Sequence, residues 1–158
     1  MTVSDVPMFA EWRGRPHVIE WWPLEPYEEI EAEIADLTSP QSTTRPYIVM
    51  HAGAPVGYIQ SYVAKDSGDG WWTEVTDPGI RGIDQFLADA DQLNQGIGTT
   101  MVRAFTDRLL GDPGVSRVQV DPRPDNARAI RCYEKAGFVA DRVIDTPDGK
   151  ALMLYRDR

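Results

Sequence analysis

The chain has 158 residues, 42% hydrophobic and 26% charged, which fits one domain over residues 1–158 built on a single core. Acids outnumber bases by 25 to 16, and a net charge of −9 excludes a general binder of nucleic-acid backbones or of anionic membrane surfaces. One cysteine, Cys132, excludes an internal disulfide, and with only two histidines a structural zinc site is not expected.

Ser4 or Asp5 is placed to cap a first helix through about Arg13, and Pro26 opens a second in which Tyr27, Ile30, Ile34 and Leu37 recur at helical spacing. Tyr47 to His51 and Val56 to Ala64 read as two strands around the turn Ala52-Gly53-Ala54-Pro55, making a hairpin. Lys65 to Gly70 then collects turn formers ahead of Trp71 and Trp72, a composition suited to a binding loop. On a strand those two tryptophans face opposite ways, so only one enters a core. Ile80 to Ala88 predicts a third strand, Gly98 to Leu110 a helix and Val115 to Val120 a fourth strand, which together form a βαβ unit. Asp125 or Asn126 opens a last helix ending at Gly137, and Phe138–Ile144 with Ala151–Tyr155 close a hairpin around Thr146-Pro147-Asp148-Gly149. The class is α/β with a mixed sheet. No linker or repeat interrupts it, no apolar run is long enough to span a membrane, and Met1-Thr2-Val3-Ser4-Asp5 lacks a leader's pattern, so the cytoplasm is the expected compartment.

Charge divides unevenly along the chain. Residues 1–95 hold sixteen acids against five bases, and residues 96–158 hold nine against eleven. Such a split suits a cationic partner on the first part and an anionic one on the second. The helix from Glu25 to Asp36 supplies much of the acidity and by itself reads as a solvated face.

Two segments carry chemistry. Leu93-Asn94-Gln95-Gly96-Ile97-Gly98-Thr99 follows a strand and opens an amphipathic helix, so backbone N–H groups converge on an anion without needing a lysine. No Gly-Lys-Ser/Thr follows, which excludes a Walker loop, and the third glycine of a dinucleotide fingerprint is lacking. In the second segment, Asn126 and Tyr133 lie seven residues apart, two helical turns, with the small Ala129 between them. An amide for pantetheine-like groups, a gap for a narrow ligand arm and a phenol that can protonate a thiolate form a consistent set.

Gln95-Gly96-Ile97-Gly98 followed by Asn126-x-x-Ala129-x-x-x-Tyr133-x-x-x-Gly137-Phe138 resembles the acyl-CoA site of the GNAT superfamily of N-acetyltransferases. More narrowly, Val18-Ile19-Glu20-Trp21-Trp22, Tyr58-Ile59-Gln60-Ser61-Tyr62, Ser67-Gly68-Asp69-Gly70-Trp71-Trp72, Thr76 to Gln85 and Arg128 to Phe138 resemble the aminoglycoside 6'-N-acetyltransferases over nearly the whole chain. The resemblance implies a mixed, mostly antiparallel sheet flanked by helices. It implies acetyl-CoA as co-substrate, no metal, and direct attack by the 6'-amino group of an aminoglycoside in a ternary complex. Its catalytic residues would be Asp84, as base and anchor for the amine, and Tyr133, as proton donor to the CoA sulfur. Acetyl-CoA would meet Phe86, Leu87, Asn94, Gln95, Gly96, Gly98, Thr99 and Asn126. The polycationic substrate would meet Asp69, Asp84, Asp121 and Asp148, with Trp22 and Trp72 against its sugar faces. Asp69, Asp121 and Asp148 also sit where turns and strand ends favour aspartate on their own account.

Three departures from that family stand out. Its first strand is missing ahead of the first helix, or the start codon is misassigned; Ser42-Thr43-Thr44-Arg45 replaces a substrate-directed glutamate; and Leu93 opens the phosphate loop in place of Arg or Gln. His17 and His51 stand alone and read as structural or solvated rather than functional, and Cys132 reads as a small hydrophobe. A siderophore hydroxylysine N-acyltransferase, another polyamine or peptide acetyltransferase, and a non-catalytic binding domain are the competing functions. Asp84, where the siderophore branch places a histidine, favours the antibiotic branch. A monomer or a homodimer is expected.

Overall fold

The computed structural model describes all 158 residues. In chain order it has α1 (Val6–Arg13), α2 (Pro16–Ile19), α3 (Tyr27–Leu37), β1 (Arg45–His51), β2 (Ala54–Val63), β3 (Ile80–Leu87), α4 (Ile97–Leu110), β4 (Arg117–Val120), α5 (Ala127–Lys135), β5 (Val139–Thr146) and β6 (Gly149–Asp157). The strands order as β1-β2-β3-β4-β6-β5. β3 and β4 run parallel, while β1–β2, β4–β6 and β5–β6 are antiparallel, the mixed and mostly antiparallel sheet expected. No helix is long and apolar enough to cross a membrane. The residues divide into two compact units, Met1–Ser61 with Asp84–Gln95 and Tyr62–Ile83 with Gly96–Arg158.

In the first unit no strand precedes the helices. Thr2 opens a short 3₁₀ turn, its backbone N–H and hydroxyl both donating to Asp5 Oδ2 at 2.8 and 3.1 Å. Asp5 is thereby committed to Thr2, and α1 starts without a side-chain cap from Ser4 or Asp5, correcting the expected cap. α2 was not legible, because four residues are too few for a periodic pattern. Val6, Phe9, Trp12, Val18, Ile30, Ile34, Tyr58, Phe86 and Ala88 form the core. Arg13 is drawn into it: its side chain is 3% exposed, stacks over Trp22 at 5.0 Å, and pairs with Glu25 at 3.0 Å and Glu33 at 3.7 Å. Those two carboxylates are therefore paired with a buried cation while still reaching water, each side chain 39% exposed. The β1–β2 turn is tighter than expected: Ala52 and Gly53 both have positive φ, and Ala54 already pairs with His51.

In the second unit, Ala64, Trp72 and Met153 are buried together, with Tyr62, Trp71, Val75, Ile80 and Ile144 packed around them. Trp71 and Trp72 lie in a turn rather than on a strand, Trp72 at φ 51°, so strand alternation does not decide which is buried. Trp72 takes the core because its Nε1 donates to the Tyr62 hydroxyl at 3.2 Å. Tyr62 in turn lies flat on Gly82, where any Cβ would stand 2.1 Å from the ring. The two-residue turn Pro147-Asp148 joins β5 to β6, with Thr146 paired to Gly149.

Candidate active site

Asp84 sits on β3, half-buried, with Oδ2 accepting from Gln60 Nε2 at 2.8 Å. Gln60 Oε1 accepts from the Tyr58 hydroxyl at 2.7 Å. Burial pushes the Asp84 carboxyl above the usual carboxylate range, and the Gln60 hydrogen bond opposes that shift without cancelling it. A carboxylate of raised basicity is a better proton acceptor than an ordinary aspartate. Next on the strand, Phe86 stacks on Tyr58 with ring centroids 5.6 Å apart, and the Leu87 carbonyl accepts from His17 Nε2 at 3.0 Å. Both side chains are buried, so Phe86 and Leu87 can meet a ligand mainly through backbone. Trp22 stands edge-on to Phe86 at 5.3 Å and to Tyr58 at 6.0 Å, with part of its ring exposed. In this unit the fold thus brings Trp22, Asp84 and Phe86 to one aromatic cluster. His17 has the structural role expected of it.

The loop before α4 places Asn94 and Gly96 at φ 61° and 83°. Gly96 is the N-cap of α4 and offers no side chain, so the first N–H groups of a fourteen-residue helix stay uncapped. Gln95 anchors the loop by donating to the Asp91 carbonyl. Thr99 donates to Cys132 Sγ at 3.7 Å, tying the first turn of α4 to α5. Cys132 is half-buried with its thiol pushed up by burial, so it stays protonated.

Asn126 caps α5 through Oδ1, which accepts from Ala129 N at 3.0 Å, leaving its amide N–H₂ as the group to meet a ligand. At the other end Gly137 takes φ 99°, and the N–H groups of Gly137 and Phe138 close on the carbonyls of Glu134 and Tyr133, both at 3.0 Å. This Schellman pair brings the Phe138 ring 5.6 Å from the buried Tyr133 ring. Asp69 is exposed at φ 48° in the turn before Trp71, and a Cβ on the adjacent Gly70 would stand 3.4 Å from Pro147. The Asp69 loop and the Asp148 turn are therefore neighbours, a closeness that no sequence spacing indicates. Asp121 follows the end of β4 and is partly exposed. No group of three or more metal-binding side chains occurs. Sequence reading assigned no role to Tyr58, Gln60, Tyr62 or Gly82; the Tyr58-x-Gln60-x-Tyr62 alternation puts three polar-tipped side chains on one face of β2, but not what they meet.

This arrangement has close counterparts among known proteins. The family model described as an acetyltransferase (GNAT) domain matches residues 2–146. The chain belongs to the GNAT acetyltransferase family. An aminoglycoside N(6')-acetyltransferase type 1 of Klebsiella pneumoniae is 50% identical over 162 aligned residues, covering 100% of this chain and 81% of that protein. A kanamycin resistance protein of Rhizobium radiobacter is 56% identical over 88 residues, covering 56% of this chain and 82% of that protein. The crystal structure of aminoglycoside acetyltransferase AAC(6')-Ib in complex with coenzyme A and kanamycin superposes with a TM-score of 0.96 at 49% identity, covering 100% of this chain and 92% of that one.

Proposed function

We propose that this acetyltransferase moves the acetyl group of acetyl-CoA to the 6'-amino group of aminoglycosides, as one catalytic domain working in the cytoplasm. The observation that carries the reading is the Gln60-held carboxylate of Asp84, in a chain half identical over its whole length to an aminoglycoside N(6')-acetyltransferase. The uncapped start of α4 fits a pyrophosphate, with the backbone at Gly96, Gly98 and Thr99 as donors and Asn94 and Gln95 shaping the approach. The Asn126 amide and the Phe86–Leu87 backbone would receive the pantetheine arm. Acetyl-CoA supplies an activated thioester carbon.

Asp84 anchors the substrate ammonium and takes its proton, directly or through water, so that the neutral nitrogen attacks the carbonyl carbon. As the C–S bond breaks, the sulfur leaves as thiolate and Tyr133 gives it the proton that completes the thiol, while the second proton shed by nitrogen as the amide forms restores the Tyr133 phenol. Trp22 lies against a sugar face, while Asp69, Asp121 and Asp148 hold further ammonium groups; Trp72, expected to do the same, is buried with Ala64 and Met153 and acts through Tyr62 instead. The decisive experiment is acetyl-CoA-dependent thiol release with kanamycin or tobramycin beside a spermidine control, with mass spectrometry locating the acetyl group. Acetylation at the 6'-amine with little turnover of spermidine is expected; preference for spermidine would assign the enzyme to another amine.

A further inference from the structure

The hydrogen bonds around Asp84 run in one direction. Tyr58 is 1% exposed, and burial together with the charges of Glu33 and Asp84 pushes its hydroxyl far above the ordinary phenol range, while Arg13 opposes this. The phenol is therefore protonated at every working pH and donates to Gln60 Oε1 at 2.7 Å. With its carbonyl oxygen taken, the Gln60 amide presents only N–H to Asp84 Oδ2, at 2.8 Å. An N–H donor binds the ionised carboxylate more strongly than the carbonyl oxygen of the protonated acid, so it favours the charged form. The Tyr58 ring cannot easily turn away, because Phe9 lies 4.6 Å and Phe86 5.6 Å from its centroid.

Resting on the reading of Asp84 as the amine's base and anchor, we propose that Gln60 is the positioning residue that holds the Asp84 carboxylate ionised and oriented, and that Tyr58 fixes the direction in which Gln60 can act. Neither side chain needs to touch the substrate. The other charged or titratable groups around this relay are Glu33 on α3, Arg13 on α1 with its partner Glu25, and His17 on α2, whose ring is engaged with the Leu87 carbonyl.

The test follows the Asp84 carboxyl carbon by NMR across pH in the wild type, Gln60→Leu and Tyr58→Phe, with Asp84→Asn to assign the signal and kcat measured with kanamycin. In Q60L the titration midpoint should rise by about one pH unit, as expected for losing one hydrogen bond to a charged group. Its kcat should fall about tenfold at an unchanged KM for acetyl-CoA. In Y58F, which keeps the ring and its packing, the midpoint should move the same way by less. Midpoints unmoved in both variants, with D84N inactive, overturn the relay and leave Asp84 in place. A fully active D84N overturns the reading of Asp84 and the relay together.

Discussion

Asp84 shows at the scale of one residue how a buried acid, here the proposed base, can weaken the fold that carries it. Its folded carboxyl is pushed up by burial, so the folded chain holds that proton more tightly than the unfolded chain does. The sign follows: this group's contribution to stability falls as pH rises from the ordinary carboxylate range through the raised value, and at neutral pH the ionised form is a net cost. Asp84→Asn should therefore raise the melting temperature at pH 7 by a few degrees, with the difference from wild type closing below about pH 4. The same variant should lose about 10²–10³-fold in kcat with kanamycin, the usual worth of a positioned proton acceptor. Calorimetry and thiol-release kinetics on one preparation check both, and an Asn variant that is less stable at neutral pH would show that Asp84 pulls structure together rather than straining it.

Two devices act between elements. α5 ends in a Schellman pair that only a residue at positive φ can complete, and the same pair sets Phe138 against Tyr133. Gly137→Ala should cost about 1 kcal/mol in denaturant unfolding. It should also lower kcat more than the KM for acetyl-CoA, because the ring it moves is that of Tyr133, the proposed proton donor, and the α4 loop is untouched. Arg13 joins α1 to α3 and to the Pro23 carbonyl, a bond of 2.8 Å, with its own charge almost fully buried. Glu33 is already pushed up by burial, with Arg13 the main opposing influence. Arg13→Ala strands that carboxylate and removes the support under Trp22. A loss of about 2–3 kcal/mol is expected, held below the full buried-pair value because Glu25 and Glu33 keep access to water. Unfolding by urea measures it, and a change under 0.5 kcal/mol would mean the acids resolvate freely.

Over the whole molecule, the net charge of −9 sits overwhelmingly in residues 1–95. A polycationic substrate drawn by that field should bind less well as salt screens it. The KM for kanamycin is expected to rise several-fold between 50 and 300 mM NaCl, where the screening length shortens from about 14 to about 6 Å. Steady-state kinetics at fixed saturating acetyl-CoA give the answer. A salt-independent KM would mean that a few short contacts, not the summed field, hold the substrate.

Apart from the short α2, the order of strands and helices, the glycine turn before α4 and the Asn126-to-Tyr133 spacing were legible in the sequence, because each rests on local periodicity, backbone donors or helical pitch. Where the reading failed locally, the reason was competition from a partner close in sequence: Asp5 turned back to Thr2 instead of capping α1. Long-range partners were out of reach by their nature. Twenty-four residues separate Gln60 from Asp84, and twenty separate Tyr62 from Gly82. Only the folded sheet sets an amide beside a carboxylate, a ring flat on a glycine, and the Asp69 loop beside the Asp148 turn. The residue types proposed for acyl transfer were thus written in the chain, whereas the burial that raises Asp84 and the donor that restrains it arise only from tertiary packing, which decides what water is excluded and which polar groups must satisfy one another.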